Sequence, residues 1–530
     1  MKIKINFSNK LIKTLIFSFL LLPFFILLFK ISYQRFAMFG CFDECFNYLA
    51  GYFMFDGKIL YKDIFFHHQM LMPYLSYVIH LISHPDSIYQ LVLYHRMFIF
   101  VFAFLMDLFI IYRFGKPGVG FVLLFEATKF YFMGSLFLPE SLVVYLQVYL
   151  LGLCWVKLTG KNLSSFDYIT AGFFTWAIIF LREPYILSGF FMYAVILWGR
   201  KWKSAKYLSL GIVLLLSFLV LAFTDLRSYI YQVVVVNLKP VLGRAKANEI
   251  FGLEFLRTFF YPIYIFFVGK WNFLRNLLMG LSAIFLISLW ILLIRSKRFK
   301  LAVFSIIVLG ISNGRHVLPG TTFYEAFHML VWFGMFVMLT MLLLEELFKI
   351  KNFLPVSRTL AILFIVLFIY AISPGSFFAE NLQGKEISRN REFRLEFDKY
   401  YINGEAIRLL SDSNDTLFVD LWDYLIYWQA GIDSSYKYTT YLGPAAVFPL
   451  FTDARSEMFR SNPPDFYYYA CSDEQPFSPF LPEFRSNDYI QLYYVDKPSC
   501  LYVKKTKLQD IPAESWEKLK ILRFYLPDKI

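Results

Sequence analysis

Runs of about twenty apolar residues, the length that crosses a bilayer, recur along this chain up to Tyr370. They constrain its fold more than any other feature. In hydrocarbon every backbone polar group must be bonded internally, so such runs are expected to be helices. With 58% apolar and 17% charged residues over 530 positions, the chain is too apolar for a soluble protein of this length. The expected fold is a polytopic α-helical membrane protein of about eleven spans. They are placed at 11–29, 88–112, 118–133, 135–157, 166–181, 184–199, 207–223, 276–294, 301–312, 323–344 and 359–373. Two further stretches, 69–83 and 258–268, fit the alternation badly. They are expected to lie along the membrane surface or to re-enter it. After Pro374 the long apolar runs stop, and charges, prolines and turn residues appear. Residues 1–375 are therefore expected to form the membrane domain and 380–530 a soluble α/β domain. Its β-type runs are 417–422, 465–470, 489–495 and 500–505, with a helical stretch around 453–460.

A net charge of +13 raises the question of nucleic acid, but the basic residues sit in short segments between apolar runs. These are Lys10 and Lys13; Arg113 and Lys116; Arg200, Lys201, Lys203 and Lys206; Arg295, Lys297, Arg298 and Lys300; and Lys349, Lys351 and Arg358. Cytoplasmic loops carry such an excess, so a cytoplasmic N-terminus is expected and no nucleic-acid partner. No small-residue cleavage site follows the first run, which is expected to stay in the mature protein. Eleven spans then place residues 380–530 outside the cytoplasm, in a multi-pass protein of the cell membrane. Five cysteines are too few for a disulfide framework. Cys471 and Cys500 either pair or stay as buried thiols. Cys41 and Cys45 have helical spacing but no further ligand in register for zinc.

The same topology sorts the unusual polar residues onto one face. Asp43, Glu44, Asp56, Lys58, Lys62, Asp63, His67 and His68 fall in the first outer loop, and Arg227, Lys239, Arg244 and Lys246 in the long outer loop 224–257. Glu140, Arg182, Glu183, Arg315, His316, Glu325 and His328 fall at outer ends or turns. Each has a plain structural reading. Asp43 or Glu44 suits a helix N-terminus, as does Glu140 after Pro139. Arg182 could pair with Glu183 at a turn. His67 and His68 could be an interfacial pair, and Glu325 and His328 a local pair on one helical face. A single cap explains one carboxylate of Asp43–Glu44 but not obviously both. A carboxyl near hydrocarbon is tuned toward general-base work, and intramembrane acids are functional candidates by default. Arg182 suits a phosphate, and His67 and His68 a sugar or phosphate. No Walker loop, GxGxxG, GxSxG or HExxH occurs. An enzyme of this kind needs an activated substrate reachable from outside, which points to a lipid-linked one.

In FDECFNYLAGYFMFDGKILYKD and the following HHQMLMPYL, the chain resembles the GT-C superfamily of polytopic glycosyltransferases. The nearest likeness is to protein O-mannosyltransferases and aminoarabinose-transferase-like enzymes. Asp43–Glu44, Gly57–Tyr61–Asp63 and Glu140 match that family's acidic pair, G-x-x-x-Y-x-D stretch and second acid in order. VDLWDYLIYWQAG, SSYKYTTYL and SNPPDFYYYA look like its outer domain, and HHQMLMP stands where a proline pair is usual. The resemblance implies a polyprenyl-phosphate sugar donor and transfer with inversion to a hydroxyl of a lipid, glycan or protein acceptor. It casts Asp43 as the base, Glu44 and Glu140 as groups orienting hydroxyls, and Lys62, Arg182 and Arg315 as cations on the leaving phosphate. No cofactor is implied, and a divalent metal is left open. A transporter or flippase of lipid-linked saccharides, or a non-catalytic envelope assembly protein, are the competing expectations.

Overall fold

The computed structural model describes residues 7–41, 43–199, 204–239, 272–295, 298–312, 326–373, 376, 388–420, 423–441, 443–469 and 486–527. Apolar helices lie on every one of the eleven expected segments. They are α1 (Phe7–Gln34), α4 (Ile88–Phe114), α5 (Lys116–Thr128), α6 (Pro139–Leu158), α7 (Ser165–Leu181), α8 (Ile186–Leu197), α9 (Ser204–Ala222), α10 (Asn272–Ile294), α11 (Phe299–Ile311), α12 (Ala326–Phe348) and α13 (Leu354–Ala371). Among the described residues, six of these helices are long and apolar enough to cross a membrane. Two more helices, α2 (Glu44–Phe55) and α3 (Leu71–Ser83), precede α4. The 69–83 stretch is thus a helix of thirteen residues, while 258–268 lies outside the described residues.

The chain divides into two compact units that are discontinuous in sequence. The first is Met1–Phe36, His95–Val220 and Arg244–Arg389; the second is Ala37–Tyr94, Leu221–Gly243 and Asn390–Ile530. The expected boundary near 375–380 therefore omits two insertions. Residues 37–94 and 221–243 group with the C-terminal region, which they meet through pairs such as Lys58–Asp433, Tyr89–Phe393 and Tyr231–Phe451.

In the first unit α6 and α12 are the inner helices. The apolar window of α12 is wholly buried and that of α6 is 83% buried, against 22% for α9 and for α13. Gly334 of α12 lets the two backbones approach, since a Cβ there would stand 2.3 Å from Val144 Cγ2. Small residues serve this purpose where helices pack in lipid. The outer helices expose Leu214, Leu215 and Phe218, or Ile362, Ile365, Val366 and Ile369, as lipid-facing helices do. At one end of α7, Ser164 and Asp167 form a reciprocal capping box. Asp167 also accepts two hydrogen bonds from Arg113, at 2.6 and 3.0 Å.

In the second unit, α14 (Arg389–Leu410) leads into a six-stranded sheet. Its strands are β1 (Thr416–Asp420), β2 (Asp433–Ser434), β3 (Phe466–Tyr469), β4 (Tyr489–Tyr494), β5 (Lys497–Lys504) and β6 (Phe524–Tyr525), in the order β2-β1-β3-β5-β4-β6. β1 is parallel to β2 and β3, and the remaining pairings are antiparallel. The helix α15 (Leu425–Ala430) connects β1 to β2, and α16 (Pro449–Ser461) precedes β3. Val495 and Asp496, both at positive φ, turn the β4–β5 hairpin, as a two-residue primed turn requires. Phe418, Tyr436, Tyr441, Phe459 and Tyr467 pack ring against ring beneath the sheet.

The first expected outer loop is stitched into this unit. Phe65 N–H donates to the Tyr438 carbonyl at 2.8 Å, and Thr440 Oγ1 donates to the Phe65 carbonyl at 3.1 Å. Lys58 pairs with Asp433 at 3.0 Å, and Phe53 meets Tyr427 edge to face. From 226–239, Gln232 accepts from Phe66 N–H at 2.7 Å, and Asn237 donates to the His67 carbonyl at 2.6 Å. Cys41 and Cys45, expected only to share a helical face, are joined as a disulfide, and Cys500 is disulfide-bonded as well.

Candidate functional site

Asp43 occupies the N-cap position of α2, yet its side chain makes no capping hydrogen bond. The plain capping reading therefore fails for it, although Glu44 does lie in the first turn. Asp43 is half-buried and Glu44 fully buried. The Cys41–Cys45 disulfide spans the pair. Two residues on, Phe46 stacks on Phe66 at 4.6 Å and lies 5.8 Å from His67 and 6.0 Å from Tyr424. The His67 and His68 rings meet at 3.9 Å. Their backbone is held by Asn237 and by the Tyr61 hydroxyl, which donates to the His68 carbonyl at 2.8 Å. Lys62 is exposed and contributes to holding the Asp225 carboxyl below its ordinary value, after the hydrogen bonds from Ser228. The second unit thus holds Asp43, Glu44, Lys62, His67 and His68.

The remaining candidates belong to the first unit. Glu140, fully buried in the first turn of α6, lies 3.3 Å from Arg182 Nε, itself 4% exposed. Arg182 thus has Glu140 as an ion-pair partner, which the sequence reading with Glu183 did not foresee. Tyr185, at the turn after Arg182, donates its hydroxyl to the carbonyl of the buried His328 at 3.5 Å. The structure therefore brings Glu140, Arg182 and His328 into one neighbourhood. Arg315, His316 and Glu325 lie outside the described residues.

The first unit also contains a cavity that the sequence did not signal. It is a small, partly open pocket with room for about one water molecule, and its cationic lining is Arg35, Arg96 and Lys129. Ser32 and Ser135 add hydroxyls, and Met97, Ile99, Phe100 and Phe130 supply an apolar wall. Arg35 follows α1, Arg96 lies in the third turn of α4, and Lys129 begins a 3-10 turn after α5. One end of each helix is thus gathered at the cavity. Arg96 and Lys129 are each 3% exposed. Arg96 donates to the Phe36 carbonyl.

Behind Lys129 stands a buried polar cluster. Lys129 pairs with Glu126 at 2.6 Å and donates to the Tyr145 hydroxyl at 3.1 Å; that hydroxyl donates to Glu126 at 2.5 Å. Asp107 of α4 is fully buried beside them, and its carboxylate has no hydrogen-bond partner among the described residues. Intramembrane ionisable residues are functional candidates by default. That rule, applied along 88–133, would have picked out Arg96, Asp107, Glu126 and Lys129 from sequence. What sequence could not supply is that they meet.

A second polar cluster lies at the carboxyl end of β1. Asp420 accepts from the Tyr467 hydroxyl at 3.4 Å and has Arg455 at 4.0 Å. Asp423 accepts from Tyr468 at 3.0 Å and from Lys399 at 2.7 Å. Tyr424, 2% exposed, has a hydroxyl with no hydrogen-bond partner among the described residues. Burial first, then the charges of Asp420, Asp43 and Asp423, push that phenol well above its ordinary value. Asp43 thus reaches the electrostatic neighbourhood of the sheet. Among the described residues, no group of three or more His, Cys, Asp or Glu is arranged to hold a metal ion. No protein-family model, curated protein or solved structure matches this chain.

Proposed function

We propose that this chain is a membrane glycosyltransferase of GT-C type. It moves a sugar from a polyprenyl-phosphate donor to an acceptor hydroxyl at the outer face of the cytoplasmic membrane, with inversion. The basic cavity of Arg35, Arg96 and Lys129 carries this reading. A departing lipid phosphate needs fixed cations where its charge develops, and its chain needs an apolar wall. The lining sets cations and an apolar wall side by side, in a pocket that must widen to admit the donor. With about eleven spans and the N-terminus inside, α1 ends, α4 begins and α5 ends on the outer side, which is where an external donor would be met.

In this proposal Arg35, Arg96 and Lys129 hold the donor phosphate, a role first expected of Lys62, Arg182 and Arg315. Glu140, buried against Arg182, orients sugar hydroxyls. By the family resemblance, Asp43 is the base that takes the proton from the acceptor hydroxyl as that oxygen attacks the anomeric carbon. The sugar–phosphate bond breaks, and the lipid phosphate leaves with the bonding pair. The disulfides at Cys41–Cys45 and Cys500 support an extracytoplasmic second unit, since disulfides persist in oxidising compartments.

The test is transfer from a panel of radiolabelled polyprenyl-phosphate sugars by the purified protein in lipid nanodiscs. Wild type is expected to transfer at least one sugar, and Arg96→Gln to lose most of that transfer. A panel that gives no glycosylated product overturns the proposal. One observation favours a second reading, translocation of a lipid-linked saccharide: the buried Asp107–Glu126–Lys129–Tyr145 cluster lies within apolar helices, where polar groups mark transport paths. Movement of intact lipid-linked saccharide across vesicles, without a new glycosidic bond, would favour that reading.

A further inference from the structure

We infer that the carboxyl end of β1 in the second unit is an acceptor site for a saccharide. The inference rests on the transferase reading, since it assigns the hydroxyl that Asp43 activates. The first ground is topological. β1 lies between β2, which follows it in the chain, and β3 on its other side, with all three parallel. Strand order therefore reverses at β1. In open α/β sheets ligands bind outside the carboxyl ends of the strands at such a reversal.

The second ground is chemical. Asp420 closes β1, and Asp423 and Tyr424 follow it; the ring of Phe46, three residues after Asp43, lies 6.0 Å from that of Tyr424. Tyr424 is buried, and its hydroxyl is left without a partner among the described residues. A buried hydroxyl is costly to leave unbonded, so one that persists here suits a hydroxyl supplied by a ligand. Asp420 and Asp423 already have Arg455 and Lys399 beside them. That argues against a cationic ligand and for a neutral one rich in hydroxyls. The Phe46 ring, 6.0 Å from Tyr424 and stacked on Phe66 at 4.6 Å, closes one side of this place. A carbohydrate meets that demand for a neutral, hydroxyl-rich ligand, and the segment that carries Asp43 packs against the same place through Phe46.

The test reads binding without any lipid donor, so it stays legible if sugar transfer fails. Full-length protein in lipid nanodiscs is titrated with soluble oligosaccharides of glucose, galactose, mannose and N-acetylglucosamine, followed by saturation-transfer NMR. At least one is expected to bind. Tyr424→Phe, which removes only the hydroxyl, should weaken it about five-fold, with the unfolding temperature unchanged. Asp420→Asn is the second variant, and should weaken the same oligosaccharide. No binding by wild type overturns the inference, as does wild-type affinity in both variants. Transfer onto a peptide or lipid hydroxyl without saccharide binding also overturns it, while leaving the transferase reading standing.

Discussion

Asp43 sits where a capping aspartate belongs and does not cap. Asn has nearly the shape of Asp and suits the same helix-start position, so Asp43→Asn separates the chemistry of the carboxylate from folding. In the proposed mechanism it should cut transfer by about 10²–10⁴-fold, the contribution of a general base, with an unchanged unfolding temperature. Near-normal turnover by this variant would sink the base assignment. His80 gives a prediction independent of function. It is 3% exposed on α3, with Nε2 donating to the Tyr48 carbonyl at 3.3 Å, and burial pulls its pKa from 6.5 down to about 4. The unfolded chain therefore binds the proton first as pH falls. Stability should hold above about pH 6.5 and decline toward pH 4, by a few kcal/mol. His80→Gln should flatten that decline in thermal melts across this pH range. At this scale the sequence exposed the acidic pair but hid the meeting of Arg35, Arg96 and Lys129, because one cation in an apolar run says nothing of its neighbours.

The helices were legible because long apolar runs admit little else in lipid. The strands at 416–420, 466–469, 489–494 and 497–504 follow the aromatic and β-branched runs read in the sequence. The two-residue strands β2 and β6 were not legible, since a pair of residues carries no periodicity. Packing between elements was equally hidden. The approach of α12 to α6 depends on Gly334 against Val144, so Gly334→Leu should force them apart and cost about 1–3 kcal/mol by overpacking. A fall in melting temperature measured in detergent would record it. At the start of α7, Ser164→Ala removes half of the capping box with Asp167. The expected loss is about 1 kcal/mol, read in the same assay, while Arg113 keeps its bidentate grip on Asp167.

Across the whole molecule, the proposed topology places the two disulfide sites outside and the basic loops inside. A membrane-impermeant amine reagent applied to intact cells should therefore label Lys497, which begins β5, and spare Lys349, which follows α12. Labelling of Lys349 in sealed cells would reverse the orientation. Sequence by itself determined that the chain is helical and apolar enough for a membrane, and roughly where its helices and principal strands run. Those features follow from local composition and from the bonding demands of a backbone in lipid. Tertiary structure alone decided that residues 37–94 and 221–243 join the C-terminal region in one unit. It also decided that Arg182 faces Glu140, that Arg35, Arg96 and Lys129 line one pocket, and that Phe46 packs near Tyr424. Each of these joins groups distant along the chain, and a contact of that kind leaves no mark in the composition or periodicity of either segment.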